Sequence, residues 1–277
     1  CYSHDNDGAG YLLGNFTGAR AWGSNTVRYN ISINDARTNN SAVTLFTAPN
    51  TTWNGLNFYN NTVYLSGSTK NKYTTFGAFQ MTDYGTNMSG VKCYNNIFQV
   101  SGSGSAGPLS LVHVPATFLP QNPVFIGNLY WSSGSTFKIN YGISYSSLSA
   151  FRATGNEKLN GNSVGVEADP VLTGVANAAS LLYPKDNNSL SQFQLVSSSP
   201  AKDAGLDLLK DMGLSVGARD FWGSSIPIGT KYDIGAHEYG GVVSSVADGL
   251  KKTYFHIQSN PITNGVLEVE LNLSSQK

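Results

Sequence analysis

The sequence has little charge, few cysteines and no long apolar run, and each shortage excludes a class of protein. Only 12% of the 277 residues are charged and the formal net charge is zero, so without a basic run a nucleic-acid partner is not expected. No segment approaches the roughly 18 consecutive apolar residues of a membrane-spanning helix. Two cysteines, Cys1 and Cys93, cannot form a dense disulfide framework. We expect both to pack as small hydrophobic residues, without a bridge between them.

Ser, Thr, Asn and Gly take the place of the missing charge, and glycine alone contributes 30 residues. These residue types are weak helix formers but suit tight turns. The 15 tyrosines favour short strands, and a hydrophobic content of 40% argues against disorder. The composition therefore predicts an all-β protein.

One four-residue phrase recurs four times, and its last residue is always asparagine. These asparagines are 31, 35 and 32 residues apart. Each phrase continues into an apolar stretch, and a second apolar strand follows in the same period. Three short strands per 30-odd residues are typical of one coil of a parallel β-helix. The phrases are Val27–Asn30, Phe58–Asn61, Cys93–Asn96 and Phe125–Asn128.

Stacked coils place equivalent residues above one another, so the alignment predicts contacts. Alternation along a strand sends the first residue of each phrase inward and the second outward. The inward column is Val27, Phe58, Cys93 and Phe125, and the outward column is Arg28, Tyr59, Tyr94 and Ile126. The asparagines should form a ladder at a turn, where Asn tolerates left-handed backbone.

The period degrades after residue 135. We therefore divide the chain into β-helix coils (1–135), a last coil or coils with an irregular C-terminal cap (136–240), a linker of small residues (241–253) and the start of another module (254–277). The stretch Ser146–Arg152 reads as a short helix with a serine cap. We expect Asp203, Asp220 and Asp233 to fix turns of the cap or to hold a structural Ca²⁺, and the pair His237–Glu238 to pack and form hydrogen bonds there.

The asparagine-ladder coils resemble the pectate-lyase-like superfamily of right-handed parallel β-helices. Ser199–Gly205, Asp220 and Asp233–Glu238 together resemble the closing segment of secreted choice-of-anchor proteins. The tail Phe255–Leu267 resembles the start of a type IX secretion sorting domain of Bacteroidetes, although Gln258–Pro261 keeps only half of that domain's usual Tyr-Pro-Asn-Pro.

These resemblances imply a right-handed β-helix that the type IX machinery exports to the cell surface or the medium. An extracellular polysaccharide is then the expected partner. The sequence starts at Cys1 without Met or signal peptide and stops at Lys277 inside a strand-like pattern. We therefore expect further coils and the rest of the sorting domain outside it.

Candidate catalytic residues lie in the first two coils. Asp5, Asp7 and Asp35 fall in one region with Arg37, whether the coils are related by a lag of 29 or of 30 residues. Close carboxylates need a proton or a cation between them, and their oxygens suit Ca²⁺. In lyases that this fold resembles, Ca²⁺ neutralises a uronate and Arg or Lys removes a proton, whereas a hydrolase would use two carboxylates. The run Asp5–Gly8 equally suits an ordinary turn.

Outward aromatic residues are the second candidate feature. Tyr59 and Tyr94, beside Arg28, should lie on one face, where they could pack against sugar rings. The same stack could instead only stabilise the sheet. His113, alone in its strand, is expected to be structural. The leading hypothesis is a secreted protein that binds or also cleaves a polysaccharide, and the alternative is a non-catalytic adhesin or scaffold.

Overall fold

Short parallel strands stacked coil upon coil make up the protein. In the computed structural model, the described residues are 1–82, 88–174 and 187–241, all within one compact unit, Cys1–Val243. Three sheets run along the stack, and most strands pair with a strand one coil away. The predicted all-β fold, a parallel β-helix of at least four coils, is confirmed.

The sheets are named here A, B and C. Sheet A consists of Tyr2–His4, Ile31–Ile33, Thr62–Ser66, Ile97–Ser101, Leu129–Ser133 and Val166–Glu167. Sheet B consists of Tyr11–Asn15, Val43–Thr47, Gly77–Met81, Ser110–Val114, Ile139–Tyr141 and the antiparallel Ile143–Tyr145. Sheet C consists of Trp22–Arg28, Trp53–Tyr59, Met88–Tyr94 and Val124–Ile126.

Smaller elements interrupt the coils. Two hairpins pair Ser103–Gly104 with Gly107–Pro108 and Lys158–Leu159 with Asn162–Ser163. The α-helices are Leu148–Arg152 and Leu208–Met212, and 3₁₀ turns span Ala116–Gln121 and Asn187–Phe193. Ser147 caps the first helix through a hydrogen bond from the backbone N–H of Ala150, as the sequence predicts.

The predicted inward column of sheet C is confirmed residue by residue. Val27 pairs with Phe58, Phe58 with Cys93, and Cys93 with Phe125. The last three are buried, and Phe58 lies 5.8 Å from Phe79 of sheet B and 6.4 Å from Phe98 of sheet A between ring centroids. Side chains from all three sheets therefore meet in one core.

The predicted asparagine ladder is also confirmed. Each ladder asparagine donates its backbone N–H and its Nδ2 to Oδ1 of the next, at 2.9–3.0 Å, from Asn30 through Asn61 and Asn96 to Asn128. The left-handed residue is the one before each ladder position: Tyr29, Asn60, Asn95 and Gly127. The ladder thus joins neighbouring coils along the turn between sheets C and A.

The C-terminal part, residues 187–241, which the sequence assigns to the cap, packs along the side of the coils. We call it the side segment. Gly235 donates to the backbone oxygen of Asn95 (2.8 Å), and Asn60 Nδ2 donates to the backbone oxygen of Asp233 (3.1 Å). Side-segment residues Leu190, Phe193, Trp222 and Ile234 belong to one buried cluster with Ile31, Ile33, Ile97 and Leu129 of sheet A. The side segment therefore buries the outer face of sheet A.

Cys93 packs in the core as expected, but Cys1 is exposed, and both are free thiols. In the described ranges, no helix is long and apolar enough to cross a membrane. The predicted linker from residue 242 and the predicted sorting module, 254–277, lie outside the described residues.

Candidate functional site

The predicted acidic region lies where the first two strands of sheet A end. Ser3 pairs with Ser32, so the lag between these coils is 29 residues. Beyond the strands, the backbone N–H groups of Ala36, Arg37 and Thr38 donate to the carbonyls of Gly8, Asn6 and Asp7. The two polar runs are therefore stacked turns joined by backbone hydrogen bonds.

Asp35 is the buried member of this region, with 0% of its surface exposed. Its Oδ1 accepts from Asn6 Nδ2 (2.6 Å) and from the backbone N–H of Asn6 (3.1 Å), and its Oδ2 accepts from Ser32 Oγ (2.6 Å). Gly10 lies so close that an added Cβ would sit 2.0 Å from Oδ2. Burial raises the pKa of the Asp35 carboxyl, against these hydrogen bonds, which lower it. Asp35 therefore holds the turn of the preceding coil in place.

Asp5 and Asp7 are exposed and face other partners. Asp5 Oδ2 lies 3.1 Å from Nδ1 of His4, and Asp7 Oδ1 accepts from Thr38 Oγ1 at 2.5 Å. Asp5 adopts a left-handed φ of 52°, as turn residues do. Within 1–82, 88–174 and 187–241, no three His, Cys, Asp or Glu side chains are grouped to hold a metal ion. The arrangement is that of a turn.

Arg37 forms its hydrogen bonds along the stack and none to these carboxylates. Its guanidinium donates to Oγ of Ser66 (3.1 Å) and to the backbone oxygen of Ser66 (2.5 Å) in the next coil. Burial lowers the pKa of Arg37, and the nearby Asp5 and Asp35 charges raise it. The guanidinium therefore ties two coils together.

The expectation of an open aromatic face at Tyr59 and Tyr94 is wrong. Both side chains leave sheet C on its outer side, yet they are only 2% and 3% exposed. Leu208 and Val216 of the side segment pack against them in one buried cluster. Tyr59 Oη donates to the backbone oxygen of Ser215 at 2.8 Å. Burial raises the pKa of Tyr94 to about 12.

Arg28 is held by the same segment, since its guanidinium donates to the backbone oxygen of Val216. The three predicted substrate-binding residues, Arg28, Tyr59 and Tyr94, are thus contacts between the coils and the side segment. A polysaccharide could reach the two tyrosines only if that segment moved away.

Buried polar residues of the side segment hold its own loops, as predicted. Asp220 accepts from the backbone N–H groups of Ser224 (2.7 Å) and Glu238 (2.9 Å), and Asp233 accepts from those of Asp203 (2.7 Å) and Tyr239 (2.5 Å). His237 Nδ1 accepts from the backbone N–H of Leu195 at 3.0 Å. Burial lowers the pKa of His237 to about 4 and raises that of Glu238 to about 7.

A cleft of about 280 Å³ lies on the outer face of sheet B. Strand pairing places Thr44, Gln80, His113 and Asn140 in one outward row of this sheet. Two members of the row, Gln80 and His113, line the cleft, and Tyr73 stands at it with half of its surface exposed. The residues around the cleft are Asn40, Tyr73, Thr75, Gln80, Met81, Thr82, His113 and Pro115.

Gln80 is held in place through its amide oxygen. Its Oε1 accepts from Ser41 Oγ (2.7 Å) and Thr75 Oγ1 (3.3 Å). Its Nε2 donates to no residue in the described part of the chain, although the side chain as a whole is only 5% exposed. The amide orientation therefore leaves its donor end for the cleft.

His113 is fixed in a similar way. Its Nδ1 lies 3.3 Å from Nδ2 of Asn140, which can only donate. Nδ1 is then the acceptor, and the proton of the neutral ring is on Nε2. Burial lowers the pKa of His113, and the Lys138 charge lowers it further, so the neutral ring is favoured.

Sequence reasoning missed this cleft. It treated His113 as structural and singled out neither Gln80 nor Tyr73. The signal in the sequence is the alternation along the second strand of each coil, where a polar residue stands between two apolar ones. These polar residues are Thr44, Gln80 and His113. Tyr73 carried no such signal because it lies outside the strands.

Comparison with known proteins adds no assignment. No protein-family model matches the sequence, and no curated protein matches it.

Proposed function

We propose that the protein works outside the cell and binds a polysaccharide through the outer face of sheet B. The observation that carries this proposal is the cleft around Tyr73, Gln80 and His113. An exposed aromatic ring beside fixed hydrogen-bonding groups is the usual composition of a binding site for a small polar molecule. A sugar unit offers both an apolar ring face and hydroxyl groups.

The location supports the proposal as well. Gln80 and His113 project from strands of a parallel sheet that is paired on both sides. Groups on such strands keep their spacing, which suits recognition of a ligand with fixed hydroxyl positions. The cleft, at about 280 Å³, lies just below the range of about 300–1,000 Å³ for pockets that enclose whole ligands. It fits a single unit of a longer chain.

Binding without cleavage is the version of this function that the geometry favours. In the part of the chain that the structure describes, no carboxylate lines the cleft, and glycoside hydrolysis usually needs two. The earlier catalytic candidates, Asp5, Asp7, Asp35 and Arg37, bond to their own turns and to the next coil. A Ca²⁺-dependent lyase site at these residues therefore has little geometric support.

The runner-up is a surface scaffold that displays other regions without binding sugar. The continuous asparagine ladder and the buried outer face of sheet A give the stiffness that such a stalk needs. The effect of replacing Tyr73 distinguishes the two functions. A scaffold has no use for Tyr73, whereas a binding protein should lose affinity without it.

Export is proposed on the resemblance of Phe255–Leu267 to a type IX sorting domain, and these residues lie outside the described part. Deleting the chain from residue 250 onward in the native host should leave the protein inside the cell. Normal secretion of the truncated protein, measured by blotting of medium and cell fractions, would count against it.

The direct test is native affinity electrophoresis against neutral and uronic-acid polysaccharides. The wild-type protein should be retarded by at least one of them, and Tyr73→Ala should lose about tenfold in affinity, or 1.4 kcal/mol. Phe16→Ala is the matched control, because Phe16 is also an exposed ring (60%) but does not line the cleft. Equal retardation of wild type and Tyr73→Ala would favour the scaffold.

A further inference from the structure

We infer that the cleft on sheet B selects an uncharged sugar unit, with its ring on Tyr73 and its oxygens on Gln80 Nε2 and His113 Nε2. This inference rests on the proposed polysaccharide binding and adds the class of sugar. It differs from what the resemblance to uronate-degrading enzymes implies. Three observations support it: the hydrogen bonds that hold the two donor side chains, the uncharged described lining and the position of Lys138.

The first observation is that each donor side chain is held by hydrogen bonds to its other polar atom. Ser41 and Thr75 hold the oxygen of the Gln80 amide, and Asn140 holds the acceptor nitrogen of His113. Neither side chain must reorient to donate, which reduces the entropy lost on binding. Two donors at fixed positions can read two oxygens of one sugar unit.

The second observation is that, among the described residues, none of those lining the cleft carries a formal charge, since a lowered pKa favours the neutral ring of His113. A carboxylate that entered the cleft would lose hydration without gaining an ion pair, and burying an unpaired charge is costly. A hydroxyl group in the same place needs only hydrogen bonds. The lining therefore favours neutral sugars over uronates.

The third observation concerns Lys138, the cation that acts on His113. Its Nζ lies 3.4 Å from the backbone oxygen of Pro108, and Lys138 is not among the residues around the cleft. Burial is the larger cause of the lowered pKa of His113, and the Lys138 charge only adds to it. Lys138 is not placed to pair with a bound carboxylate.

The test uses matched pairs of polysaccharides that differ mainly in charge: hydroxyethyl and carboxymethyl cellulose, arabinoxylan and glucuronoxylan, and homogalacturonan with and without methyl esters. Affinity electrophoresis of the 277-residue chain should detect binding to the neutral member of at least one pair. The charged member of that pair should bind at least tenfold more weakly.

Two substitutions test the donors. Gln80→Glu keeps an oxygen for Ser41 but replaces the Nε2 donor, and His113→Phe keeps a ring but removes its donor. Each should weaken neutral-sugar binding about fivefold to tenfold, as expected for one lost hydrogen bond. Lys138→Ala is the control and should leave that binding unchanged. Thermal melting of each variant shows whether it has folded, and either donor variant alone tests the inference.

The outcomes separate the two proposals. If a charged member binds as tightly as its neutral partner, or if Lys138→Ala abolishes binding, the selectivity inference is overturned and polysaccharide binding stands. If wild type binds neither member of any pair, the proposed function fails and the inference fails with it. Retained binding in both donor variants would show that the sugar binds another part of the outer face of sheet B, and the inference would be overturned.

Discussion

Asn128 and Glu157 form the end of the asparagine ladder, where a carboxylate takes the place of a fifth asparagine. Asn128 Nδ2 donates to Glu157 Oε1 at 2.8 Å, in the position where each earlier asparagine donates to the next coil. Glu157 also accepts from the backbone N–H of Gly127 (2.6 Å) and from Tyr130 Oη (2.7 Å). It is fully buried, and burial raises its pKa.

Removal of the Glu157 carboxylate should destabilise the folded protein. Glu157→Leu leaves several buried donors without a partner, and we expect a loss of about 3 kcal/mol or more in the free energy of unfolding. Glu157→Gln retains one oxygen and should lose about 1–2 kcal/mol. Urea unfolding followed by circular dichroism measures both. Equal midpoints for wild type and Glu157→Leu would show that the ladder needs no terminal acceptor.

The inward column makes a second prediction about stability. Phe58 is buried between rings of the other two sheets, so Phe58→Ala should destabilise by about 3–5 kcal/mol if the cavity stays open. Phe16→Ala, at an exposed ring, should change stability by less than about 1 kcal/mol. A small effect at Phe58 would mean that the core relaxes into the space.

Asn95 tests how the side segment is held. Its Nδ2 donates to the backbone oxygen of Leu206 and its Oδ1 accepts from the backbone N–H of Leu206, both at 2.9 Å. Its φ of 49° is left-handed. Asn95→Gly removes the two bonds without steric cost, whereas Asn95→Ala adds about 1 kcal/mol of backbone strain.

Both Asn95 variants should speed hydrogen exchange in residues 201–239 more than in the sheets. Asn95→Ala should melt at a lower temperature than Asn95→Gly because only alanine is strained there. If exchange in that range is unchanged in both variants, the apolar cluster alone holds the side segment.

The sequence predicts the coils well and the side segment poorly, for a physical reason. Val27, Phe58, Cys93 and Phe125 stack because the same short phrase recurs, and a repeat fixes its own register. The contact of Asn95 with Leu206 joins residues 111 positions apart without any period. Alternation along the strands therefore predicts correctly that Tyr59 and Tyr94 point outward. It carries no information that the side segment covers them.

Glu238 makes the stability depend on pH. Burial raises its pKa from the usual 4.5 to about 7 in the folded protein. The folded state therefore binds more protons between these values, and stability falls as pH rises through this range. Glu238→Gln removes this pH-dependent contribution to the free energy of unfolding. Relative to the variant, wild type should be most stable below about pH 4.5 and lose that advantage by about pH 7.

His237 has the opposite sign, because its pKa is lowered from 6.5 to about 4. Its contribution is present above 6.5 and is lost as pH falls through 4. The melting temperature of Glu238→Gln should therefore rise with pH more steeply than that of wild type between 4.5 and 6.5. A pH-independent difference between the two proteins would refute the assignment to Glu238.

The last prediction separates binding from cleavage at the acidic turns. Asp35 accepts hydrogen bonds from Asn6 and Ser32 inside the protein, so Asp35→Ala should lower stability by about 1–3 kcal/mol through unpaired donors. Asp5 is exposed, so Asp5→Ala should leave polysaccharide binding unchanged and lower stability by no more than about 1 kcal/mol, through the strain of alanine at the left-handed φ of 52°. Neither wild type nor variant should form unsaturated, ultraviolet-absorbing product or new reducing ends, with or without Ca²⁺. A Ca²⁺-dependent product that disappears in a well-folded Asp5→Ala would instead establish a lyase or hydrolase site there, since loss of turnover without loss of fold is what a catalytic or metal-binding carboxylate predicts.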